Sequence, residues 1–315
     1  MRTREGLMPL VVREITRQTP DIVSIRMQNA DGSPLPAWQP GAHVDLQLIT
    51  RHERQYSLCG DPADVASYRV AVRREELSRG GSHYIHAFLR EGATVWVRPP
   101  RNLFELGEAR AYLLLAAGIG VTPILAMARH LASVDAEWRM IVAARTRDGV
   151  AFADEIGALG ERATVHVSAE EGRLDLSTLL GTIAPGTDVY ACGPAAFTDA
   201  LHALAPTLPE GSGIHLERFV PRAREFSPNE AFTATAARSG VTVDVPPTRS
   251  LLESLQGAGV AVSGSCLRGV CGSCAVPVLA GAVEHRDSLT TDDDARVIYP
   301  CVSRARSGEA LVLDV

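Results

Sequence analysis

Three changes of pattern along the 315 residues predict a multidomain protein: an antiparallel β-barrel, an α/β domain with a parallel sheet, and a small α+β domain. Short alternating runs fill the chain up to about Arg98. Strand-like and helix-like segments alternate from about Arg110 to Phe219. Four of the six cysteines crowd into the last 50 residues.

The first region holds runs such as Ile22–Met27, His43–Ile49, Tyr68–Val72 and Thr94–Val97. Turn clusters such as Asp31-Gly32-Ser33-Pro34 and Cys59-Gly60-Asp61-Pro62 separate them. Many short strands at this spacing suit an antiparallel barrel or sandwich. In the second region the apolar runs Tyr112–Ala116, Arg139–Ala144, Ala163–Val167 and Asp188–Ala191 alternate with helical segments Pro123–Ser133, Ala151–Leu159, Leu176–Leu180 and Ala195–Leu204. That order predicts parallel strands joined by crossover helices. Pro221–Glu230 is polar and aperiodic and reads as a linker. After it come strands at Phe232–Ala236 and Val241–Val245, a helix at Ser250–Gln256, a cysteine loop and a last strand at Ala310–Leu313. The expected domains are therefore 1–106, 107–220, the linker 221–230, and 231–315.

Bulk properties narrow the function. Hydrophobic residues make up 46% and charged residues 22%, an ordinary globular balance. A net charge of -6 argues against a dedicated nucleic-acid binder, which carries a basic footprint. No apolar run approaches the roughly 18 residues of a membrane span, and the N-terminus lacks a signal-peptide core. The cytoplasm is the expected location.

The cysteines carry the strongest signal. Cys266-Leu267-Arg268-Gly269-Val270-Cys271-Gly272-Ser273-Cys274, with Cys301 further on, has the C-x4-C-x2-C…C spacing of a plant-type 2Fe-2S site. Glycines in the loop let backbone amides approach the sulfurs. A structural zinc site is the competing reading, but zinc favours two separated close pairs. Cys59 reads as a small buried hydrophobe.

Two strand-to-helix turns suggest a dinucleotide. Gly118-Ile119-Gly120-Val121-Thr122-Pro123 follows an apolar strand and opens a helix, where backbone amides suit a pyrophosphate. Cys192-Gly193-Pro194 occupies the matching place on a later strand. Arg145 and Arg147 follow the strand Arg139–Ala144 and suit an adenosine ribose or its phosphate; solvated loop charges are the alternative. In the barrel region Arg54-Gln55-Tyr56-Ser57 offers a phosphate partner, a ring to lie beside a flat cofactor and a hydroxyl for its edge. Ser78-Arg79-Gly80-Gly81-Ser82 offers an amide-rich turn for a phosphate, or else a plain hairpin loop.

Together these segments resemble the phthalate dioxygenase reductase family, which includes the vanillate demethylase reductases, over nearly the whole chain. The resemblance implies a flavin barrel, a nucleotide domain and a C-terminal β-grasp ferredoxin domain, in that order. It implies FMN, NADH and a 2Fe-2S cluster as cofactors. Arg54, Tyr56 and Ser57 match the family's flavin motif, and Gly80, Gly81 and Ser82 its phosphate turn. Gly118, Gly120, Thr122 and Pro123 match G-x-G-x-T-P; Cys192, Gly193 and Pro194 match the motif on the nicotinamide side. Glu217-Arg218-Phe219 matches the stretch that brings an aromatic close to the flavin. Ser57, Thr122 and Phe219 are thus the expected reactive surroundings, with Gln55, Val72, Arg73 and Arg145 as further cofactor contacts. Ala117 departs from the glycine common in relatives.

The implied route is NADH to FMN, FMN to the cluster in single steps, and cluster to an external protein. The implied acceptor is a Rieske-type terminal oxygenase, met by a cytoplasmic monomer. A haem-thiolate monooxygenase is the alternative acceptor. A non-catalytic iron–sulfur redox sensor is the alternative of another class. No catalytic triad, paired carboxylates or H-E-x-x-H motif points to hydrolytic chemistry.

Overall fold

The computed structural model describes residues 6–48, 53–76, 80–222, 225–290 and 296–315. Ser78 and Arg79 of the expected phosphate turn, and part of the expected linker, lie outside the described residues. The chain forms two compact units, Met1–Arg218 and Phe219–Val315.

The first unit begins with strands β1 (Met8–Thr19), β2 (Ile22–Asn29), β3 (Ala42–Gln47), β4 (Glu53–Ser57), β5 (Tyr68–Arg73), β6 (Thr94–Val97) and β7 (Arg101–Asn102), with helix α1 (Gly81–Ala87) between β5 and β6. They pair antiparallel in the order β4-β3-β6-β1-β2-β5, and β7 pairs with β3. A bridge between Leu58 and Val70 ties the end of β4 to β5 and closes the barrel. Its interior is packed with Leu10, Val12, Ile25, Met27, Val44, Leu46, Val70 and Val97, all fully buried. Each such side chain contributes on the order of 1.5–3 kcal/mol by leaving water. Gly81 and Ser82, expected in an open turn, instead form the first turn of α1 behind Gly80, whose φ of 96° requires glycine.

The same unit continues with β8 (Ala111–Ala117), α2 (Val121–Ser133), β9 (Trp138–Ala144), α3 (Ala153–Gly157), β10 (Ala163–Val167), α4 (Ser168–Glu171), α5 (Leu176–Gly181), β11 (Thr187–Cys192), α6 (Ala195–Leu204) and β12 (Ile214–Glu217). The five strands run parallel in the order β10-β9-β8-β11-β12. β8 reads as an unbroken apolar run because helices cover both of its faces. The chain leaves β8 one way to β9 and returns on the other side at β11, so a crevice opens where their carboxyl ends diverge. Helix α3 is shorter than the expected Ala151–Leu159. Phe152 sits in the left-handed region at φ 61° and blocks any earlier start.

The second unit contains β13 (Phe232–Ala236), β14 (Val241–Val245), α7 (Leu251–Gly257), β15 (Val276–Ala280), β16 (Val283–Glu284), β17 (Val297–Ile298), β18 (Arg304–Ala305) and β19 (Leu311–Leu313). The main sheet has the order β14-β13-β19-β15-β17, with β13 and β19 parallel. Helix α7 starts with a capping box: the Ser250 hydroxyl accepts from the Glu253 amide and the Glu253 carboxylate from the Ser250 amide. Its buried face, Leu251, Leu252 and Leu255, packs on Val243, Val245 and Val276. Among the described residues no helix is long and apolar enough to cross a membrane.

Candidate redox site

The carboxyl ends of β8, β11 and β12 build the first half of the site. Register places Cys192 beside Ala116 on one side and Glu217 on the other. The two glycine turns press against each other: a Cβ on Gly120 would lie 2.2 Å from the Cys192 carbonyl oxygen, and one on Gly193 would lie 2.9 Å from the Ala117 Cβ. Ala117, the departure from the family pattern, therefore fills space beside Gly193. Thr122 is buried, and its hydroxyl donates to the Ile119 carbonyl at 3.0 Å, which holds the turn into α2.

The barrel reaches this switch point through one strand. Ser57, the last residue of β4, donates from its hydroxyl to Glu217 Oε2 at 3.4 Å, and the Cys192 thiol approaches the same oxygen at 3.9 Å. Burial pushes the Glu217 carboxyl up to about 8, against the hydrogen bonds from Ser57 and Cys192 that favour its charge. Burial also pushes the Cys192 thiol well up, and the neighbouring Glu217 adds to it. Glu217 keeps part of its surface open to solvent. Burial favours the protonated form of both groups, so their meeting point carries little negative charge.

Along β4 alternate residues face opposite ways. Arg54 turns to α1: a Cβ on Gly81 would lie 3.1 Å from Arg54 Cγ and 3.2 Å from its Nε. The missing side chain thus lets a guanidinium lie against the backbone at the start of α1. The Ser82 hydroxyl accepts from the Glu75 amide at 3.1 Å. Tyr56 packs against the barrel core, where burial raises its hydroxyl pKa. Gln55 is half-buried on the strand's other face, beside Ser57 in the alternation. Guanidinium, glycine backbone, ring and hydroxyl are the donor set a flavin phosphate and ring system require, so these residues fit FMN.

A cleft of about 690 Å3 runs from the switch point across the sheet edge. It is lined by Ala117, Gly118, Ile119, Arg145, Ser168, Arg173, Pro194 and Phe197, with Arg73 from the barrel. Arg73 is paired with Asp21 at 3.0 Å. Arg147 forms an ion pair with Glu170 at 2.6 Å and does not line the cleft. Arg173 does line it, and sequence reasoning missed it because it stands in an exposed turn with no motif. Glu217 was visible only as part of a matched stretch; its register with Cys192 is what makes it part of the site. Val72, on β5, is buried, and its carbonyl contacts His86 Nε2 at 2.9 Å.

The second unit brings the four expected cysteines together. The Cys266 sulfur is in hydrogen-bond contact with those of Cys271 and Cys301, and Cys301 also contacts Cys274. Those contacts, with backbone N–H groups of Val270 and Arg268, hold the Cys266 thiol well below its ordinary pKa. The Arg268 amide donates to Cys266 Sγ at 3.3 Å. The loop bends through Leu267, Gly269 and Gly272, all at positive φ. A Cβ on Gly269 would lie 2.6 Å from Val302 and 2.9 Å from Asp287 Cα, so only glycine lets the loop close on the Cys301 segment. Asp287 ties that segment down by accepting from the Leu289 and Thr290 amides and the Ser303 hydroxyl. Four converging thiols in an amide-rich loop fit a 2Fe-2S cluster. Phe219 belongs to this unit, and its carbonyl accepts from the Arg268 guanidinium at 2.9 Å.

A closed antiparallel barrel, a parallel sheet with glycine turns at its switch point and a four-cysteine ferredoxin unit define an iron–sulfur flavoprotein reductase. Residues 234–306 match the family model of the 2Fe-2S iron-sulfur cluster binding domain, which removes the zinc alternative. The chain is 40% identical over 315 residues to the heme-dependent oxidative N-demethylase beta subunit of Ectopseudomonas mendocina, covering 98% of this chain and 99% of that one. It is 35% identical over 318 residues to phthalate dioxygenase reductase of Burkholderia cepacia, covering 99% and 98%. A solved phthalate dioxygenase reductase superposes with a TM-score of 0.74 over all of both chains at 34% identity. An intact type IV self-sufficient cytochrome P450 monooxygenase superposes with a TM-score of 0.90 at 34% identity; the match covers all of this chain and 43% of that longer one.

The chain belongs to the phthalate dioxygenase reductase family. It is an oxidoreductase, the reductase component of an oxygenase system, with FMN, NADH and a 2Fe-2S cluster as its cofactors.

Proposed function

We propose that this reductase serves a Rieske-type aromatic oxygenase, and that the residues gathered at the switch point carry the transfer from NADH. The observation that carries the reading is the meeting of Ser57, from the flavin motif, with Cys192 and Glu217 at the ends of β11 and β12. Two motifs on different domains of the first unit converge on one carboxyl oxygen.

FMN, when bound, supplies the conversion of a two-electron hydride into single electrons. The chain supplies the rest. Arg54 with the backbone at Gly80, Gly81 and Ser82 holds the phosphate. Tyr56, Gln55 and Val72 border the flat ring system. Gly118, Gly120, Thr122, Gly193 and Pro194 shape the pyrophosphate and nicotinamide end of the cleft. Arg145 and Arg173 take the adenosine half, and the paired Arg73 borders the opening. Burial favours the neutral form of the Glu217 carboxyl, which keeps negative charge away from the path of the hydride. Cys266, Cys271, Cys274 and Cys301 ligate the cluster, and Phe219 is the first residue of the unit that carries them. The domains run 1–106, 107–220 and 231–315, with 221–230 as linker, and the protein acts as a cytoplasmic monomer.

The experiment is an anaerobic NADH titration read by visible absorbance and electron paramagnetic resonance, with acid-released flavin identified. Bleaching, a rhombic cluster signal and FMN support the reading. A cluster left oxidised and no released flavin would return the protein to the redox-sensor alternative. A haem-thiolate monooxygenase as acceptor is the second reading, favoured by the 34% identity to 43% of an intact self-sufficient cytochrome P450 monooxygenase chain. Reconstitution with each acceptor type decides between them by which one the reduced protein reoxidises against.

A further inference from the structure

Away from the cleft, three charged side chains join the barrel to the nucleotide domain. Glu155, in α3, receives both terminal nitrogens of Arg69 from β5, at 2.9 and 2.7 Å. The same carboxylate is bonded to Arg129 near the end of α2. Both arginines also hold the backbone that follows β4. Arg129 donates to the carbonyls of Cys59 at 2.7 Å and Gly60 at 3.0 Å, and Arg69 donates to Cys59 at 2.9 Å. The Arg69 guanidinium lies 4.9 Å from the centroid of the Phe152 ring. Phe152 is buried in a left-handed conformation, and its amide donates to Gln18 of β1 at 3.2 Å. A non-glycine residue persists there only where its surroundings over-determine it. The cluster is therefore built, not a chance surface pairing.

Its two ends lead into the reactive cleft. Cys59 stands two residues after Ser57, the hydroxyl that touches Glu217. Arg129 stands two turns along α2 from Thr122, whose hydroxyl fixes the turn beside Gly120. Holding Cys59 and Gly60 to α2 fixes where Ser57 lies relative to Thr122.

We propose that Arg129, Glu155 and Arg69 form a positioning clamp that sets the separation of flavin and nicotinamide for hydride transfer. The clamp touches neither cofactor. It acts through Ser57 and Thr122, and so governs the transfer step and not the affinity for the nucleotide. The inference rests on reading the cleft as the place where NADH meets FMN.

The test uses the full-length holoprotein with Arg129→Leu and Glu155→Gln; the second keeps volume and removes the charge that joins the arginines. Stopped-flow flavin reduction at saturating NADH is expected to fall on the order of 10- to 100-fold, because small misplacements of reacting atoms cost that much. The dissociation constant for NADH is expected to stay within about threefold, since nothing in the clamp lines the nucleotide's cleft. Independently of turnover, hydrogen exchange at 57–61 and 121–133 is expected to rise, with exchange in 231–315 unchanged. Wild-type reduction rates in either folded variant, or a loss carried wholly by NADH affinity, overturn the clamp. Failure of the wild-type protein to accept hydride from NADH instead overturns the underlying reading of the cleft. If Arg129→Leu does not fold, Glu155→Gln alone decides.

Discussion

Glu217 gives the sharpest stability prediction. Its carboxyl is raised from 4.5 to about 8 by burial. A carboxyl whose folded pKa lies above its unfolded value leaves stability untouched below the unfolded pKa. The cost accumulates as pH rises from 4.5 towards 8, because the unfolded chain has ionised the group and the fold resists it, and is fully present above 8. At about 1.36 kcal/mol for each pH unit, the ceiling is about 5 kcal/mol. Glu217 retains partial solvent contact, and screening brings the working figure to about 2–3 kcal/mol. Glu217→Gln keeps an acceptor for Ser57 and removes the titration. Near pH 5 the variant and the wild type should melt together. At pH 8.5 the variant should be more stable, by roughly 5–10 °C for a unit of this size. The assay is thermal unfolding of the full-length protein at intervals from pH 5 to 9, followed by circular dichroism. Parallel melting temperatures across that range would refute the buried, proton-holding Glu217 and with it the electrostatic role assigned to it.

Other expectations follow from single sites. Cys301→Ser should abolish the cluster's visible absorbance and paramagnetic signal, yet leave flavin content and NADH-dependent ferricyanide reduction intact. Arg173→Ala should raise the Michaelis constant for NADH roughly fivefold, the loss of about 1 kcal/mol from one charge-assisted contact, with turnover unchanged; Arg147→Ala, whose side chain is engaged by Glu170, should leave it unchanged. Gly120→Ala forces a methyl group to 2.2 Å from the Cys192 carbonyl, so flavin reduction in stopped flow should fall on the order of 100-fold. Ser250→Ala removes the α7 cap and should cost the ferredoxin unit about 1 kcal/mol, read from cluster bleaching in denaturant.

The sequence was most legible where a local pattern carries the fold. The strands Thr94–Val97, Ala163–Val167, Phe232–Ala236 and Val241–Val245 and the helix Ala195–Leu204 appear with the expected ends, because apolar periodicity and flanking turn residues determine them. The longest strand, β1 (Met8–Thr19), was not singled out. It carries charged and hydroxyl residues along an exposed side, and β-bulges interrupt its pairing with β2, so its alternation breaks. The cysteine ligands were readable because cluster chemistry fixes their spacing. Arg173 and Arg129 were not, and Glu217 was only as part of a matched stretch, because each acquires its role through register or tertiary approach: Glu217 across the sheet from Cys192, Arg173 from an exposed turn over the cleft, Arg129 from the far end of a helix whose start alone has a motif.

The non-glycine residues at positive φ sharpen that contrast. Among the described residues they are Asp135, Phe152 and Leu267. Asp135 stands in an ordinary exposed turn, where a short polar side chain tolerates the conformation. Phe152 and Leu267 are large and apolar, and local preference opposes both. Leu267 lies between Cys266 and the Arg268 amide that donates to its sulfur, so the bend there aims an N–H at a ligand. Phe152 lies under Arg69 in the clamp and cuts α3 short. Local propensity fails at two of these three positions, and each belongs to a structure that places one redox group: the cluster in one case, the flavin–nicotinamide pair in the other. Conflicts of this kind survive where function requires a geometry the chain would not otherwise adopt, and the strain at Phe152 supports a clamp that sets a distance over one that merely adds stability.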